Sequence, residues 1–197
     1  MARPEDILEF WFGRPDEPSW ELGHDVWFRP SRRFDEKIRT RFLSDYEAAR
    51  LGRHDDWTNA AGSCLALIVV LDQFPRNLFR ESPRTYESDT KALSAARHAV
   101  ARGFDRELRP VERSFVYLPF EHSENLAAQR EGIELYRGLA SHVKGAEWLG
   151  YAVGHMEIVE RFGRFPHRNA ILDRASTLEE IEFLKTPNST FLRAPTE

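Results

Sequence analysis

Along the chain, segments that are charged on one side alternate with segments that are apolar all round, and proline or glycine marks most of the joins. Pro4 at a first helical position, Glu5 and Asp6 in the first turn and Gly13 just past the end frame a short helix. Its Ile7, Leu8, Phe10 and Trp11 leave little polar surface, so it docks on a core. Ser31 is placed to cap a helix running to about Leu51, with Gly52 as its stop. Phe34, Ile38, Phe42 and Tyr46 recur as one apolar stripe along it. Asp55 or Asp56 caps a helix over 57–73 that turns apolar on every side from Leu65 to Leu71, as a central buried helix does. Because Ile68, Val69 and Val70 are β-branched, a buried strand is the alternative there.

Further helices are expected from Ser88 or Asp89 to Gly103 and from Pro110 to Pro119, where Phe115 to Leu118 would also suit a strand. Two more follow, from a Ser123 cap over 124–143 and, after Gly145, over 146–162. Thr177 and Glu180 have capping-box spacing and open a last short helix ending near Lys185. The stretch 13–30, with Trp20, Trp27 and Phe28, reads as an irregular connection pinned by its own aromatics. The pattern gives about seven or eight helices and no strict alternation of apolar and polar residues. The expected fold is all-α: a single domain over 1–186 with a loosely held tail over 187–197. Its helices are packed as consecutive hairpins, compatible with an α-α superhelical stack, although no constant repeat period is visible.

Two stretches carry the candidate chemistry. Val70 to Arg80 reads VLDQFPRNLFR, and ninety residues on the pattern returns as Phe162-Gly163-Arg164-Phe165-Pro166-His167-Arg168-Asn169. Each time an apolar segment meets Phe-Pro and then basic side chains and an Asn. Proline lacks an N–H, clashes with the preceding turn and pushes the residue before it to extended geometry, so both stretches are expected to be corners. Should they face each other, Arg76, Arg164 and Arg168 would clamp a small anion in bidentate fashion. Asn77, Asn169 and His167 would line the cleft, and His122 with Glu124 would handle protons. The competing expectation is that these arginines pair with Asp72, Glu121 or Glu124 and tie helix ends together. Ser123 then serves as an N-cap, and His122 stands just before a helix, where the dipole disfavours its charge.

Composition narrows the classes. Twenty-eight Lys and Arg against 32 Asp and Glu give a net charge of −4, which argues against a general nucleic-acid binder. Cys64 is the one cysteine and lies in an apolar run, so the chain offers no internal disulfide framework, and a reducing cytoplasm fits. The start carries acids where a signal peptide has basic residues. The longest apolar run, Cys64 to Leu71, is too short to cross a bilayer, so no membrane is expected. Glu121, His122, Glu124, His155 and His167 could be gathered round a metal, but there is no HExxH and no Glu-x-x-His pair, so neither metal nor cofactor is expected. Ser114, Ser123 and Cys64 are the candidate nucleophiles, and none sits in a GxSxG elbow. Whether the protein is an enzyme is left open.

VLDQFPRNLFR, YLPFEHSEN with Gln129, and RFGRFPHRNAIL, together with the EFWFG start, resemble the signature blocks of a bacterial family known only as domain of unknown function 924. The likeness covers about residues 5 to 185. It implies an all-α fold like that of tetratricopeptide-repeat proteins and implies no reaction. Two function classes follow: a polar cleft that binds a small anionic ligand, or a tetratricopeptide-like scaffold that grips a protein or peptide around Trp20 and Trp27, with the polar corners purely structural.

Overall fold

Residues 61–78 form the axis about which the other helices pack. In the computed structural model, which describes residues 1–14, 27, 30–140, 147–187 and 189, this axis starts as an α-helix, Ala61–Ile68. It widens into a π-turn over Val69–Gln73 and closes again as Phe74–Leu78; we label the whole run α3. From Cys64 to Phe74 no side chain of α3 is more than slightly exposed. The competing strand assignment is therefore excluded, and so is the expected break at Phe74-Pro75.

The reason is local. A proline clashes with, and cannot donate to, the carbonyl four residues before it, here that of Leu71. The π-turn relaxes the ladder at that point, Phe74 N–H donating to the Val69 carbonyl, and the orphaned Leu71 carbonyl accepts the Ser88 hydroxyl at 2.6 Å. Ser88, expected as a helix cap, thus stabilises the proline-bearing turn. Ser88→Ala should lower stability by about 1–2 kcal/mol, since a buried carbonyl is left without a donor; urea denaturation measures it.

Around α3 stand α1 (Pro4–Phe12), α2 (Arg32–Arg50), α4 (Asp89–Arg102), α5 (Pro110–Glu121), α6 (Leu126–Ala140), α7 (Trp148–Phe162) and α8 (Leu178–Leu184). Among the described residues there is no strand, and the fold is all-α. α1, α4 and α5 pack on the first half of α3 and α2 on its end, while α5, α6 and α7 pack consecutively. Phe10, Phe34, Phe42 and Phe74 join in one aromatic cluster where α1, α2 and α3 meet.

Most of the expected ends are present. Ser31 accepts from Phe34 N–H, Thr177 and Glu180 form the capping box, and Gly103 and Gly163 close their helices with φ of 73° and 69°. Three ends differ. α5 runs through Pro119 to Glu121, so Phe115 to Leu118 is helical and His122 is its C-cap. Asn125, not Ser123, caps α6, its Oδ1 accepting from Ala128 N–H at 3.1 Å. Asp55 and Asp56 begin a short 3₁₀ turn, Asp55–Asn59, ahead of α3. The connection containing Trp20 and Phe28, the helix end at Val143, the Gly145 stop and most of the tail lie outside the described residues.

Candidate functional site

The C-terminal end of α5, the π-turn of α3, the first turn of α4 and the second Phe-Pro stretch meet at one place. That second stretch is a true corner: Phe165 is extended, with φ −92° and ψ 107°, and Pro166–His167–Arg168 make a 3₁₀ turn. Phe165 is fully buried and fixes the turn, which puts Arg168 against the end of α5.

At the centre lies Asp72, fully buried in the π-turn. Its Oδ1 is 2.8 Å from His122 Nδ1 and 3.4 Å from Arg76 Nη1, and its Oδ2 accepts from Gln73 Nε2. Burial alone would raise the carboxyl pKa, but the adjacent Arg76 and His122 outweigh that and hold it low, so Asp72 is ionised. Arg76 turns outward from Asp72 to fork Asp89, at 2.9 and 3.1 Å, on the first turn of α4. Arg168, 6% exposed, completes the layer. Its Nη2 donates to the His122 carbonyl at 2.9 Å and its Nη1 lies 3.5 Å from the Asp89 carboxylate that Arg76 already occupies. Its guanidinium carbon stands 4.4 Å from the Tyr86 ring centre and 4.5 Å from that of Phe165. Arg168 Nε is buried and has no hydrogen-bond partner among the described residues.

An ionised carboxylate can only accept, so His122 carries its proton on Nδ1 and its lone pair on Nε2. Burial first, then the charge of Arg76, lowers the His122 pKa and keeps the ring neutral. His122 stands at the C-terminal end of a helix, where the dipole favours positive charge; the sequence-based expectation had the opposite sign. Behind it lies a second carboxyl–imidazole pair, with the His122 and His155 ring centres 6.4 Å apart. His155 Nδ1 lies 2.9 Å from the Tyr151 carbonyl and 3.1 Å from Glu121 Oε1. Burial, and then the nearby Asp72 charge, push Glu121 up to about 8, while burial takes His155 down to about 3. Both shifts run against ionisation, so the pair favours neutral groups over an ion pair.

The remaining candidates are placed as follows. Asn77 donates to Asp35 at 2.8 Å, and Arg80 forks the same carboxylate. Arg164 forks Glu180 at 2.6 and 2.8 Å, and Asn169 lies 3.3 Å from that carboxylate and 3.0 Å from Ser176 Oγ. Glu124 accepts a fork from Arg174, at 2.6 and 2.9 Å, and the Phe165 N–H. His167 has a buried Nδ1 without a described partner, and burial with the Arg168 charge lowers it to about 4. The structure thus brings Arg76, His122 and Arg168 together. It gives Asn77, Arg164, Asn169 and Glu124 partners that hold the surrounding turns. Sequence reasoning missed Asp89, which it took as a candidate helix cap, and Tyr86. His155 carried a signal: it falls on the inward stripe of α7, between Ala152 and Val159.

Two polar centres built from sequence-distant turns on an all-helical frame define the class. The sequence model of a family described as bacterial protein of unknown function, domain of unknown function 924, matches residues 7–188, and the chain belongs to that family. It is similar to a solved structure, that of a protein of unknown function, ATU0120, from Agrobacterium tumefaciens. The two are 41% identical, over 92% of this chain and 96% of that one, with a TM-score of 0.83. No curated protein matches. Among the described residues, no helix is long and apolar enough to cross a membrane, and no three metal-ligating side chains are grouped to hold an ion.

Proposed function

We propose that this protein binds a small anionic ligand where Arg76, Arg168 and His122 meet. The observation that carries the reading is Arg168. It is a buried guanidinium whose sole carboxylate contact among the described residues is the edge of an Asp89 already forked by Arg76, and its Nε–H has no described partner. A buried donor left unmade costs about 1–3 kcal/mol, which a bound anion would recover. His167, with its own unpartnered Nδ1, adjoins it. Asn77, Arg164 and Asn169 serve this site as its frame, through Asp35 and Glu180. In proton handling Asp72 takes the place first given to Glu124.

The tetratricopeptide-like scaffold is the weaker reading. Trp27, which a groove around Trp20 and Trp27 would expose, is 9% exposed and donates its indole N–H to the Trp11 carbonyl. A cytoplasmic setting is supported by Cys64, a buried free thiol whose pKa burial pushes up to about 11.

Thermal denaturation with inorganic phosphate, pyrophosphate and citrate tests the proposal. A probe at a hundred times its Kd adds about 2.7 kcal/mol. At least one of the three should raise the midpoint of the wild type and leave Arg168→Gln unmoved. If none raises it, or if the variant responds like the wild type, the reading fails.

A further inference from the structure

We propose that Asp72 and His122 form a general-base pair with which the protein hydrolyses a small carboxylate-bearing ester, Arg168 Nε–H donating to the oxyanion. This rests on the anion-binding reading above and adds a reaction to it.

Three features of the geometry carry it. The first is orientation. The Asp72 carboxylate, fully buried and held by Gln73 and Arg76, sits 2.8 Å from His122 Nδ1 and fixes the imidazole by one nitrogen. The second is access. No described group takes His122 Nε2 in a hydrogen bond, and the side chain keeps 15% of its surface although its partner Asp72 keeps 1%. The basic nitrogen is therefore the one left for a solvent molecule. The third is charge placement. Arg168 Nη2 bonds the main-chain carbonyl of His122, which holds its guanidinium, with the buried and unpartnered Nε, at the residue that carries the base, and Arg76 Nη1 lies 3.4 Å from Asp72. A guanidinium held between the Tyr86 and Phe165 rings does not need to reorganise as negative charge develops.

The step balances without any other reactant. His122 Nε2 takes a proton from water as the water oxygen bonds to the ester carbonyl carbon, and the carbonyl electron pair moves to oxygen, where Arg168 Nε–H stabilises it. When the carbonyl reforms, the bond to the alkoxide leaving group breaks and the imidazolium returns its proton to that oxygen. The products are an acid and an alcohol. The groups around the imidazole are Asp72 and Arg76 from α3, Asp89 from α4, Glu121 from α5, His155 from α7, and Arg168. Of these, Asp72 is a positioning residue, because it acts through His122.

Hydrolysis of 4-nitrophenyl hydrogen succinate, with neutral 4-nitrophenyl acetate beside it, reads the proposal out. The wild type should cleave the succinate above the buffer rate and in preference to the acetate. The rate should rise with pH through the titration of His122 and then level off. His122→Gln should lower kcat about a hundredfold or more with little change in KM. Arg168→Gln should erase the preference for the anionic ester. Asp72→Asn should also lower kcat and shift the pH profile, and ¹⁵N NMR should show its His122 losing the Nδ1–H tautomer of the wild type. If Asp72→Asn does not fold, the wild-type tautomer and His122→Gln decide the matter alone. No turnover above buffer, equal rates for wild type and His122→Gln, or an Nε2–H tautomer in the wild type each overturns the proposal. Inorganic phosphate as a thermal ligand separates the two readings: if it stabilises the protein while the ester is untouched, the anion site stands and the general base falls.

Discussion

Asp72→Ala should cost about 3–5 kcal/mol of stability, the loss expected when one member of a buried charged network is removed and the others stay. Three groups depend on this carboxylate: the His122 Nδ1–H, the Gln73 amide and one face of Arg76. Only Arg76 has a second carboxylate, Asp89, so the variant leaves a mostly buried guanidinium half-paired and an imidazole without its anchor. Urea denaturation of the folded variant measures the effect. A loss under about 1 kcal/mol would mean that water replaces the carboxylate freely and that the cluster is not a low-dielectric centre.

Glu121→Gln should do the reverse at alkaline pH and stabilise the protein. The native pKa of Glu121, about 8, lies above its value of about 4.3 in an unfolded chain. Between these values the native state holds a proton that the unfolded state has lost, so this group's contribution falls as pH rises. His155 and His167 act with the opposite sign. Their native pKa values, about 3 and about 4, lie below the unfolded value near 6.5, so their contribution grows as pH rises to that point. His122, also lowered, acts in the same direction. Below about pH 6.5 the three histidines outweigh the one glutamate, so their sum rises with pH; above about pH 7.5 the unfolded histidines are neutral too and the slope of Glu121 prevails. Measured against Glu121→Gln, the wild type should lose about 2 kcal/mol between pH 6.5 and 8, with a slope of at most about 1.4 kcal/mol per pH unit. Glu121→Gln removes that decline. Urea denaturation of both proteins between pH 6.5 and 8.5 makes the comparison, and parallel curves would place the titrating group elsewhere.

What could be read in the sequence was what short-range chemistry settles. Caps such as Ser31 and Thr177 and stops such as Gly103 bond within their own turn, so the residues that specify them are neighbours in sequence. The break at Phe74-Pro75 was misjudged for the converse reason: the group that makes a proline tolerable inside α3 is the hydroxyl of Ser88, on another element. Pro119 was misjudged alike, because burial of the last turn of α5 outweighs one missing donor. The candidate site divides in the same way. Arg76 and Arg168 stood out as basic side chains beside Phe-Pro, but which acids they meet depends on how four distant segments fold. Nothing local distinguishes Asp89, which they share, from an acid that only favours a helix start.

Arg168 reaches Asp89 across 79 residues and the His122 carbonyl across 46. During synthesis, therefore, α3 and α4 leave the ribosome and can pair Arg76 with Asp89 long before the turn that carries Arg168 exists. The polar centre is sealed by a turn that emerges well after both of them, so it stays incomplete until that turn has docked. The loop closures it requires are long ones, whose entropy must be met before the contacts form. Such a centre is assembled late in folding, and a ligand that needs Arg168 will recognise only a chain in which these distant turns have met.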